Sequence, residues 1–325
     1  MATKYVSNSS GDDTNDGNSA TSAYATIARA VDQITEGTDV DNKSTIIISQ
    51  GIYAEGPIDG SSKDFISIRT AGDGLVQIMH AGSSGGLSHT LIIGKNWDLT
   101  GNGLDLAVFT KQFDGGTTPN HDSNCFAVIN GAQNIPFTAS SVAFVGQKYL
   151  RNDITHTQTS FGTAFYRPMG TASNCIFMHL GRVGGSKNYG KISILGSLFF
   201  NVGQTSSSDT NGTGPQFAIG QGDFVNNTIS HCTGDASFIR FHGGRMMNNL
   251  YADCVAYGNS VNDEDNYFLD KGFQTTLGNA TLNMKLLEVP SKGEVQFWGD
   301  STGDRSATAP ANQFSSSVTG LSLIP

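Results

Sequence analysis

Charged side chains are scarce in this sequence, and they form no basic run. Lysine, arginine, aspartate and glutamate make up 14% of the 325 residues, and the formal net charge is −9, whereas about a quarter of a typical globular domain is charged. Nucleic-acid binding depends on clustered lysine and arginine, so a nucleic-acid partner is not expected. No apolar run approaches the length of a membrane span, so no membrane partner is expected either.

The amino terminus lacks the apolar core of a secretory signal peptide. The first five residues are Met-Ala-Thr-Lys-Tyr, and a polar segment follows them. We expect from this either that a leader has been trimmed or that the protein is made in the cytosol and does not leave by that route.

The sequence also lacks the common cofactor motifs. A P-loop, HExxH and a dinucleotide fingerprint are all missing, so no cofactor is predicted. The polar loop 11–17 contains four oxygen donors that suggest a calcium loop: Asp12, Asp13, Asn15 and Asp16. Because the EF-hand pattern and its terminal glutamate are absent, we favour a plain loop and predict no metal site.

Two segments in the second half of the chain repeat each other at a period of 22 residues. Residues 222–232 and 244–254 share a glycine, an Asn-Asn pair and a cysteine in register. A period of this size is typical of an array in which each unit buries its apolar face against the next. Strand formers and turn residues dominate, so each unit is predicted to be one turn of a parallel β-helix, with strands about 4.8 Å apart.

This register stacks particular side chains on one another. Asn226 and Asn227 are predicted to lie over the Asn pair 248–249 and to form a ladder at a bend, because asparagine tolerates left-handed backbone and its amide can bond the next turn. Cys232 is predicted to stack on Cys254. We favour reduced core thiols for these cysteines, although the pair would also be close enough to bridge.

The other two cysteines, Cys125 and Cys175, each follow a Ser-Asn dipeptide, 50 residues apart. The repeated Ser-Asn-Cys sequence indicates either two longer turns or a coincidence. None of the four cysteines has CxxC spacing, which again argues against a metal site.

One amphipathic helix is predicted before the strands, over residues 23–34, with Ser22 as N-cap and Gly37 as terminator. Its apolar face consists of Ile27, Ala30, Val31 and Ile34. A single helix in front of an array of strands is expected to cover the open end of the first turn.

The first part of the chain resembles the opening of the right-handed parallel β-helix superfamily, which includes pectate-lyase-like enzymes and phage tailspikes. The resemblance covers residues 4–55 and implies the fold; lyases, hydrolases and binding proteins all share this opening. The residues that carry it are Tyr5-Val6-Ser7, Gly11-Asp12-Asp13, Asn15-Asp16-Gly17, Tyr24-Ala25-Thr26-Ile27, Ala30-Val31, Ile46-Ile47-Ile48 and Gly51-Ile52-Tyr53.

The predicted fold is therefore all-β: a right-handed, single-stranded parallel β-helix with an N-terminal capping α-helix. Residues 1–43 are assigned to an opening strand, a loop and the helix. Residues 44–298 form the β-helix, and 299–325 form a polar tail that caps it or docks onto a partner. Insertions near 110–122, 151–160, 182–190 and 205–215 are expected to form a binding rim on one side.

Candidate site residues follow from the 22-residue register, which stacks Asp223 on Arg245 and His231 on Asp253. We favour ion pairing on an outer face for them, because no stacked pair of carboxylates suits hydrolysis. The weak catalytic candidates are Asp223, His231, Arg240, His242, Arg245 and Asp253. The weak candidates for stacking on sugars are Tyr166, Tyr189, Tyr251 and Tyr257.

The function predicted from the sequence is a structural or adhesive bacteriophage virion protein, such as a decoration, fibre or tailspike-like protein. It would be made in the host cytoplasm, would assemble as a homotrimer with other virion proteins, and would touch host glycans. The first alternative is a polysaccharide lyase or glycoside hydrolase. The second is a secreted or cell-surface bacterial adhesin whose export signal has been removed.

Overall fold

The computed structural model describes much of the chain, and for several strands beyond residue 123 it describes the backbone alone. The described residues are 1–81, 89–110, 124–127, 135–146, 163–166, 168–180, 183, 192–200, 202, 219–221, 223–230, 233–234, 240–243, 246–247, 249–252, 255–256, 267–269, 292–295 and 316–319.

Short strands dominate the described chain. The first are β1 Thr3–Val6, β2 Ser44–Ile48, β3 Gly51–Glu55, β4 Ile58–Gly60, β5 Ile66–Thr70, β6 Val76–His80, β7 His89–Ile93, β8 Trp97–Thr100 and β9 Leu106–Phe109. The next are β10 Asn124–Ala127, β11 Ile135–Ser140, β12 Val142–Val145, β13 Thr163–Tyr166, β14 Pro168–Ser173, β15 Ile176–Met178, β16 Ile192–Leu195 and β17 Leu198–Phe200. The last are β18 Ile219–Gln221, β19 Phe224–Val225, β20 Thr228–Ser230, β21 Thr233–Gly234, β22 Arg240–Gly243, β23 Met246–Met247, β24 Leu250–Ala252, β25 Val255–Ala256, β26 Tyr267–Leu269, β27 Lys292–Val295 and β28 Ser316–Thr319.

Most of these strands belong to three parallel sheets that run along the molecule. In spatial order, sheet A is β1-β2-β5-β8-β11-β14-β16-β19-β23, sheet B is β3-β6-β9-β12-β15-β17-β20-β24-β26, and sheet C is β4-β7-β10-β13. From β2 to β14 the chain passes from sheet A to B to C and then returns to A one strand further along. Beyond β14, sheets A and B continue, and β18 with β22 and β21 with β25 form two small parallel sheets. This path is a single-stranded parallel β-helix, right-handed as parallel crossovers are, and it confirms the predicted fold.

The 22-residue register is confirmed where the repeat predicts it. Phe224 pairs with Met246, and Thr228 pairs with Leu250. Other turns are longer: the contact from Ser197 to Asn227 spans 30 residues and the contact from Thr138 to Asp98 spans 40. The longer turns differ in the segments that join the sheets, while the strands keep their stacking.

The four predicted insertions fall between strands of this path. Those at 110–122 and 151–160 lie between a strand of sheet B and the next strand of sheet C. The insertion at 182–190 precedes β16 of sheet A, and the insertion at 205–215 lies between β17 and β18. Most of their course lies outside the described residues, so the binding rim predicted there stays a prediction.

Alternating side chains of the strands point inward and fill the core. Phe144, Phe177 and Phe199 occupy equivalent positions on three successive strands of sheet B and are fully buried. Their rings stack, with centroids 5.3 Å apart for Phe144 and Phe177 and 4.7 Å apart for Phe177 and Phe199. Phe165 of sheet C meets Phe177 edge-on at 5.6 Å. An aromatic column therefore runs along the axis of the solenoid.

The capping helix α1 spans Ile27–Gln33, four residues later than the predicted start. The predicted N-cap Ser22 instead ends a 3₁₀ turn, Ala20–Ser22. The reason is that the residues before Ile27 are held outside the helix: Ala23 and Thr26 are extended, and Tyr24 forms a bridge with Val6. The Thr26 side chain caps the helix by accepting from the Arg29 N–H. The predicted apolar face is correct, and the helix packs against β1 to β4, covering the first turn.

The polar loop at 11–17 supports this cap. Asp13 accepts hydrogen bonds from the N–H groups of Ala25 and Thr26 at 2.9 and 3.0 Å. Asp12 accepts from the Thr14 N–H at 2.8 Å and Asp16 from the Asn18 N–H at 3.0 Å. These carboxylates hold turns and the helix entry, which are the roles of a plain loop.

The corner between sheets A and B is a single residue in left-handed conformation. Ser141, Asn174, Gly196 and Asn226 occupy it in successive turns, with φ between 53° and 58°. Asparagine and glycine adopt this conformation at little cost, so the corner stays one residue long. No insertion interrupts the edge between sheets A and B in these turns.

The residue after each corner points inward, and Asn227 forms the predicted ladder with Asn249. Residue 248 lies outside the described residues, so the stacking of Asn226 on it stays a prediction. The Asn249 side-chain oxygen accepts from the N–H of Asn227 at 2.9 Å and from its side-chain nitrogen at 3.0 Å. The Asn227 side-chain oxygen accepts in turn from the Ser197 N–H at 2.9 Å, and the Ser197 hydroxyl accepts from the Cys175 N–H at 3.1 Å. Ser197, Asn227 and Asn249 are buried, so these bonds satisfy amides that no water reaches.

Cys175 lies in this same inner column and is a buried, free thiol. The repetition of Ser-Asn-Cys at Cys125 and Cys175 is a coincidence. Cys125 belongs to β10 of sheet C, whereas Cys175 follows the corner between sheets A and B. The Cys125 side chain, Cys232 and Cys254 lie outside the described residues.

Burial raises the pKa of the Cys175 thiol to about 11. We therefore expect Cys175 to resist a maleimide at pH 7–8 in the folded protein, since the thiolate is the reactive form. Mass-spectrometric mapping of labelled peptides tests this, with the denatured chain as the control. Equal labelling of Cys175 in both states would contradict the buried inner column.

The described strands of the carboxyl-terminal part do not continue the parallel β-helix. Strands β27 and β28 pair antiparallel, with Lys292 opposite Thr319. The tail 299–325 otherwise lies outside the described residues, so its capping or docking role stays a prediction. In the part of the chain that the structure describes, no helix has the length and apolar character to cross a membrane.

Candidate functional site

The weak catalytic candidates are only partly placed by the structure. Asp223 comes just before β19, is half-buried, and its N–H donates to the Ser193 hydroxyl at 3.0 Å. Arg240 and His242 belong to β22, which pairs with β18. Their side chains, and all of His231, Arg245 and Asp253, lie outside the described residues. The stacked pairs predicted from the register therefore stay predictions.

The aromatic candidates are placed by backbone alone. Tyr166 ends β13 of sheet C and Tyr251 lies in β24 of sheet B. The side chains of both, and residues Tyr189 and Tyr257, lie outside the described residues. Tyr166 and Tyr251 belong to different sheets, so these two do not form one stacking platform on a single sheet.

The outer surface of sheet A carries a regular set of polar side chains, which we call the polar face. Two columns of outward-facing residues run along it, related by strand register. The first column is Thr45, Ser67, Asp98, Thr138, Thr171 and Ser193. The second is Arg69, Thr100, Ser140 and Ser173. Successive members are about 4.8 Å apart along the solenoid.

The sequence produces this face by simple alternation within each strand. In β11 and β14 the inward residues Ala139 and Ala172 are buried, and the residues on either side of each are a threonine and a serine. Strand geometry sends neighbours to opposite sides of the sheet. The tripeptide Thr-Ala-Ser therefore puts two hydroxyl groups on the same outer surface in each turn.

Cross-strand contacts fix part of the polar face. The Asp98 carboxylate pairs with the Lys43 ammonium at 2.7 Å and also accepts from the Thr138 hydroxyl. On the neighbouring strand the Arg69 guanidinium donates to the Ser67 hydroxyl at 3.0 Å and covers it. Charges of both signs lie close together, so the face is polar but nearly neutral.

Many of the described carboxylates away from this face hold the backbone. Asp64 accepts from the Lys95 N–H at 2.8 Å, and Asp73 accepts from the Gln50 N–H at 2.8 Å. Glu55 accepts from the first two N–H groups of α1, at 2.7 and 2.8 Å. Burial raises the pKa of Glu55, against the lowering effect of those two hydrogen bonds. Among the described residues, no group of three or more His, Cys, Asp or Glu side chains is arranged to hold a metal ion.

Hydroxyl groups both donate and accept hydrogen bonds, while Asp98 accepts and Arg69 donates. A flat, nearly neutral array of such groups suits a ligand that is itself rich in hydroxyl groups. The strand spacing is close to the length of one sugar unit in an extended polysaccharide. The arrangement can therefore bind a glycan chain laid along the axis, with each turn meeting a further unit.

The polar face was missed by reasoning from sequence. Its members lie in turns of different lengths, 22 residues in one case and 40 in another, so no single period aligns them. One signal was present: Thr138-Ala139-Ser140 recurs as Thr171-Ala172-Ser173. Two identical tripeptides inside apolar, alternating segments indicate equivalent positions in two turns.

No family model matches the chain, and no curated protein matches it significantly. Solved structures that resemble it include a pectin methylesterase from Aspergillus niger, with 13% identity, covering 98% of this chain and 93% of that chain, at a TM-score of 0.41. Pectin methylesterase PemA from Erwinia chrysanthemi has 13% identity over 88% of this chain and 93% of its own, at 0.45. A rhamnogalacturonan lyase has 13% identity over 85% of this chain and 68% of its own, at 0.38.

The fold assignment rests on the register of the three sheets, the one-residue corner and the inner ladder. In architecture the chain is a right-handed, single-stranded parallel β-helix, closed at its amino-terminal end by a helix.

Proposed function

We propose that this protein is a non-catalytic adhesive β-helix that binds a neutral polysaccharide along the polar face of sheet A. The observation that supports this proposal is the pair of polar columns, which repeat at the strand spacing. The first column runs through six strands, from β2 to β16, and the second runs through four, from β5 to β14. A chain ligand gains one contact per turn, so weak single contacts add up to useful affinity.

Two further features support binding rather than cleavage. The described carboxylates Asp13, Glu55, Asp64 and Asp73 serve as caps and turn acceptors. Asp98 is paired with Lys43 and accepts from the Thr138 hydroxyl, which holds its carboxylate in place as a hydrogen-bond acceptor for a ligand hydroxyl.

The proposal predicts that removing hydroxyl groups from the polar face weakens glycan binding. The double variant Thr138→Ala/Thr171→Ala is expected to lower the affinity for the bound polysaccharide about tenfold, because two hydrogen bonds are lost. Affinity electrophoresis through gels containing neutral or acidic polysaccharides measures this. Thr21→Ala/Thr35→Ala removes two exposed hydroxyls elsewhere and is expected to bind as the unchanged protein does.

Two outcomes would count against the proposal. One is retardation by no polysaccharide in the panel. The other is equal retardation of the unchanged protein and the polar-face variant, which would place the binding surface elsewhere.

The second candidate function is a polysaccharide lyase or hydrolase. The observation in its favour is that Asp223 comes just before β19, which pairs with β23 in the 22-residue register from which the contact with Arg245 was predicted. This candidate predicts shortened polysaccharide chains on incubation, and loss of that activity in Asp223→Asn.

We further propose the setting predicted from the sequence, an oligomeric component of a bacteriophage virion that is made in the host cytoplasm. Its support is compositional: few charges and a surface rich in asparagine, serine, threonine and glycine. A cell-surface or secreted adhesin would use the same polar face, and the binding test above applies to both.

A further inference from the structure

The polar face of sheet A changes character at its amino-terminal end. The first column still consists of threonines there, because Thr3 of β1 pairs with Thr45 of β2. The second column instead continues beyond Arg69 with two large apolar side chains, Ile47 and then Tyr5. The face therefore ends in an apolar pair, Tyr5 and Ile47, which we call the apolar platform.

The platform belongs to the outer surface of the sheet and not to the core. Its chain neighbours Val6 and Ile46 are buried, so strand alternation directs the platform residues outward, where both are half-buried. The Tyr5 N–H donates to the Gly17 carbonyl at 2.9 Å, and the Tyr5 carbonyl accepts from the Tyr24 N–H at 2.9 Å. The backbone that carries the tyrosine ring is therefore held in place by the cap.

Hydrogen-bonding groups border the platform. In both β1 and β2 a threonine lies two residues before the platform residue, so its hydroxyl group is on the same side of the sheet. Arg69 pairs in register with Ile47 on the next strand and is exposed. Apolar surface combined with a few placed polar groups is the usual composition of a small-molecule site.

Polysaccharides differ in what they present to such a surface. In an equatorially linked glucan such as cellulose, the hydroxyl groups lie around the edge of each ring and C–H groups cover its faces, so the chain is a flat ribbon. The ring faces pack on aromatic and aliphatic side chains, while the edges form hydrogen bonds. In starch the axial linkage bends the chain into a coil.

The polar face fits a ribbon in shape as well as in chemistry. From β1 to β14, each strand of sheet A pairs with the next in continuous parallel register. The two columns are therefore straight, with members about 4.8 Å apart. A straight chain that lies on the platform at one end keeps its contact with each following strand, whereas a coiled chain leaves the face after a few units.

We propose that the polysaccharide bound by the polar face is an equatorially linked, ribbon-shaped chain, and that the apolar platform is the subsite on which one of its rings stacks. This inference rests on the proposed binding function and narrows its ligand from neutral chains in general to one chain geometry. Tyr5 and Ile47 pack against the C–H face of the ring. The threonine hydroxyls of the same strands and the Arg69 guanidinium bond to the hydroxyl groups at its edge.

Affinity electrophoresis with two polymers of glucose tests the chain geometry. Hydroxyethyl cellulose is an equatorially linked ribbon, and soluble starch is an axially linked coil. The unchanged protein is expected to bind hydroxyethyl cellulose with a dissociation constant lower by about tenfold or more than that for soluble starch.

Variants of the platform test the subsite on the same gels. Tyr5→Ala is expected to raise the dissociation constant for hydroxyethyl cellulose about tenfold, because the ring surface is lost. Tyr5→Phe keeps the ring and is expected to bind as the unchanged protein does. Ile52→Ala removes an exposed apolar side chain from the outer surface of sheet B and is expected to have no effect. Circular dichroism of each variant checks that the fold is kept.

Three results would overturn this inference. The first is retardation by soluble starch that equals or exceeds retardation by hydroxyethyl cellulose. The second is normal binding by Tyr5→Ala while Thr138→Ala/Thr171→Ala is weakened, in which case the proposed function stands without the platform. The third is a Tyr5→Phe variant as weak as Tyr5→Ala, because the ligand would then contact the hydroxyl group and not the ring. If no polysaccharide retards the protein, the proposed function itself fails, and the inference fails with it.

Discussion

Asn227→Ala is expected to lower the free energy of unfolding by about 3–5 kcal/mol, because several buried polar groups lose their partners at once. The Asn227 side-chain oxygen accepts from the Ser197 N–H at 2.9 Å. Its nitrogen donates to the Ile194 carbonyl and to the Asn249 side-chain oxygen, both at 3.0 Å. Alanine replaces none of these bonds, and no water reaches the site. Denaturant unfolding followed by circular dichroism measures the loss.

The neighbouring asparagine provides the matched control. Asn226 is exposed and has a φ of 58°, a conformation that glycine adopts freely. Asn226→Gly is therefore expected to change the free energy of unfolding by less than about 1 kcal/mol. Equal losses in the two variants would contradict the division of roles between the corner residue and the ladder residue.

Phe177→Ala is expected to cost about 3–5 kcal/mol, the range for truncating a buried aromatic side chain. Phe177 stacks between Phe144 and Phe199 and meets Phe165 edge-on, so its removal leaves a cavity lined by three rings. In a solenoid each turn is held by its neighbours. The loss is therefore expected to fall on both adjoining turns, which hydrogen exchange of β12, β15 and β17 measures.

Phe177→Leu is the control for this prediction. Leucine keeps most of the buried volume, so the expected loss is about 1–2 kcal/mol. A loss as large as that of Phe177→Ala would mean that the stacked ring geometry, rather than the filled volume, supports the core.

The general architecture could be predicted because local sequence determines it. The Asn pair at 226–227 combines a left-handed corner with an inward amide, and both roles follow from asparagine chemistry. The same period aligns Phe224 with Met246. The helix face of Ile27, Ala30 and Val31 also follows from spacing alone.

The structural features that the sequence did not predict correctly depend on contacts between residues distant in sequence. The helix starts at Ile27 instead of residue 23 because Asp13 and the bridge from Tyr24 to Val6 hold the preceding residues extended. Ser197 takes an asparagine's place in the ladder, and only the stacking on Asn227 reveals it. No local sequence pattern predicts that a serine occupies this position of the ladder.

The outer faces of sheets A and B could not be predicted for a related reason. Alternation in a strand distinguishes inside from outside only when one side is polar. In β11 the outward residues Thr138 and Ser140 are polar, whereas in β12 the outward residues Ala143 and Val145 are as apolar as the inward ones. Unequal turn lengths then hide which residues share a column.

Binding without cleavage is distinguished from cleavage by the chain lengths of a retained polysaccharide. Size-exclusion chromatography measures their distribution after prolonged incubation with the protein. We predict retention with an unchanged length distribution, and weaker retention by Thr138→Ala/Thr171→Ala. Shortened chains, abolished by Asp223→Asn, would contradict binding without cleavage and establish the protein as an enzyme.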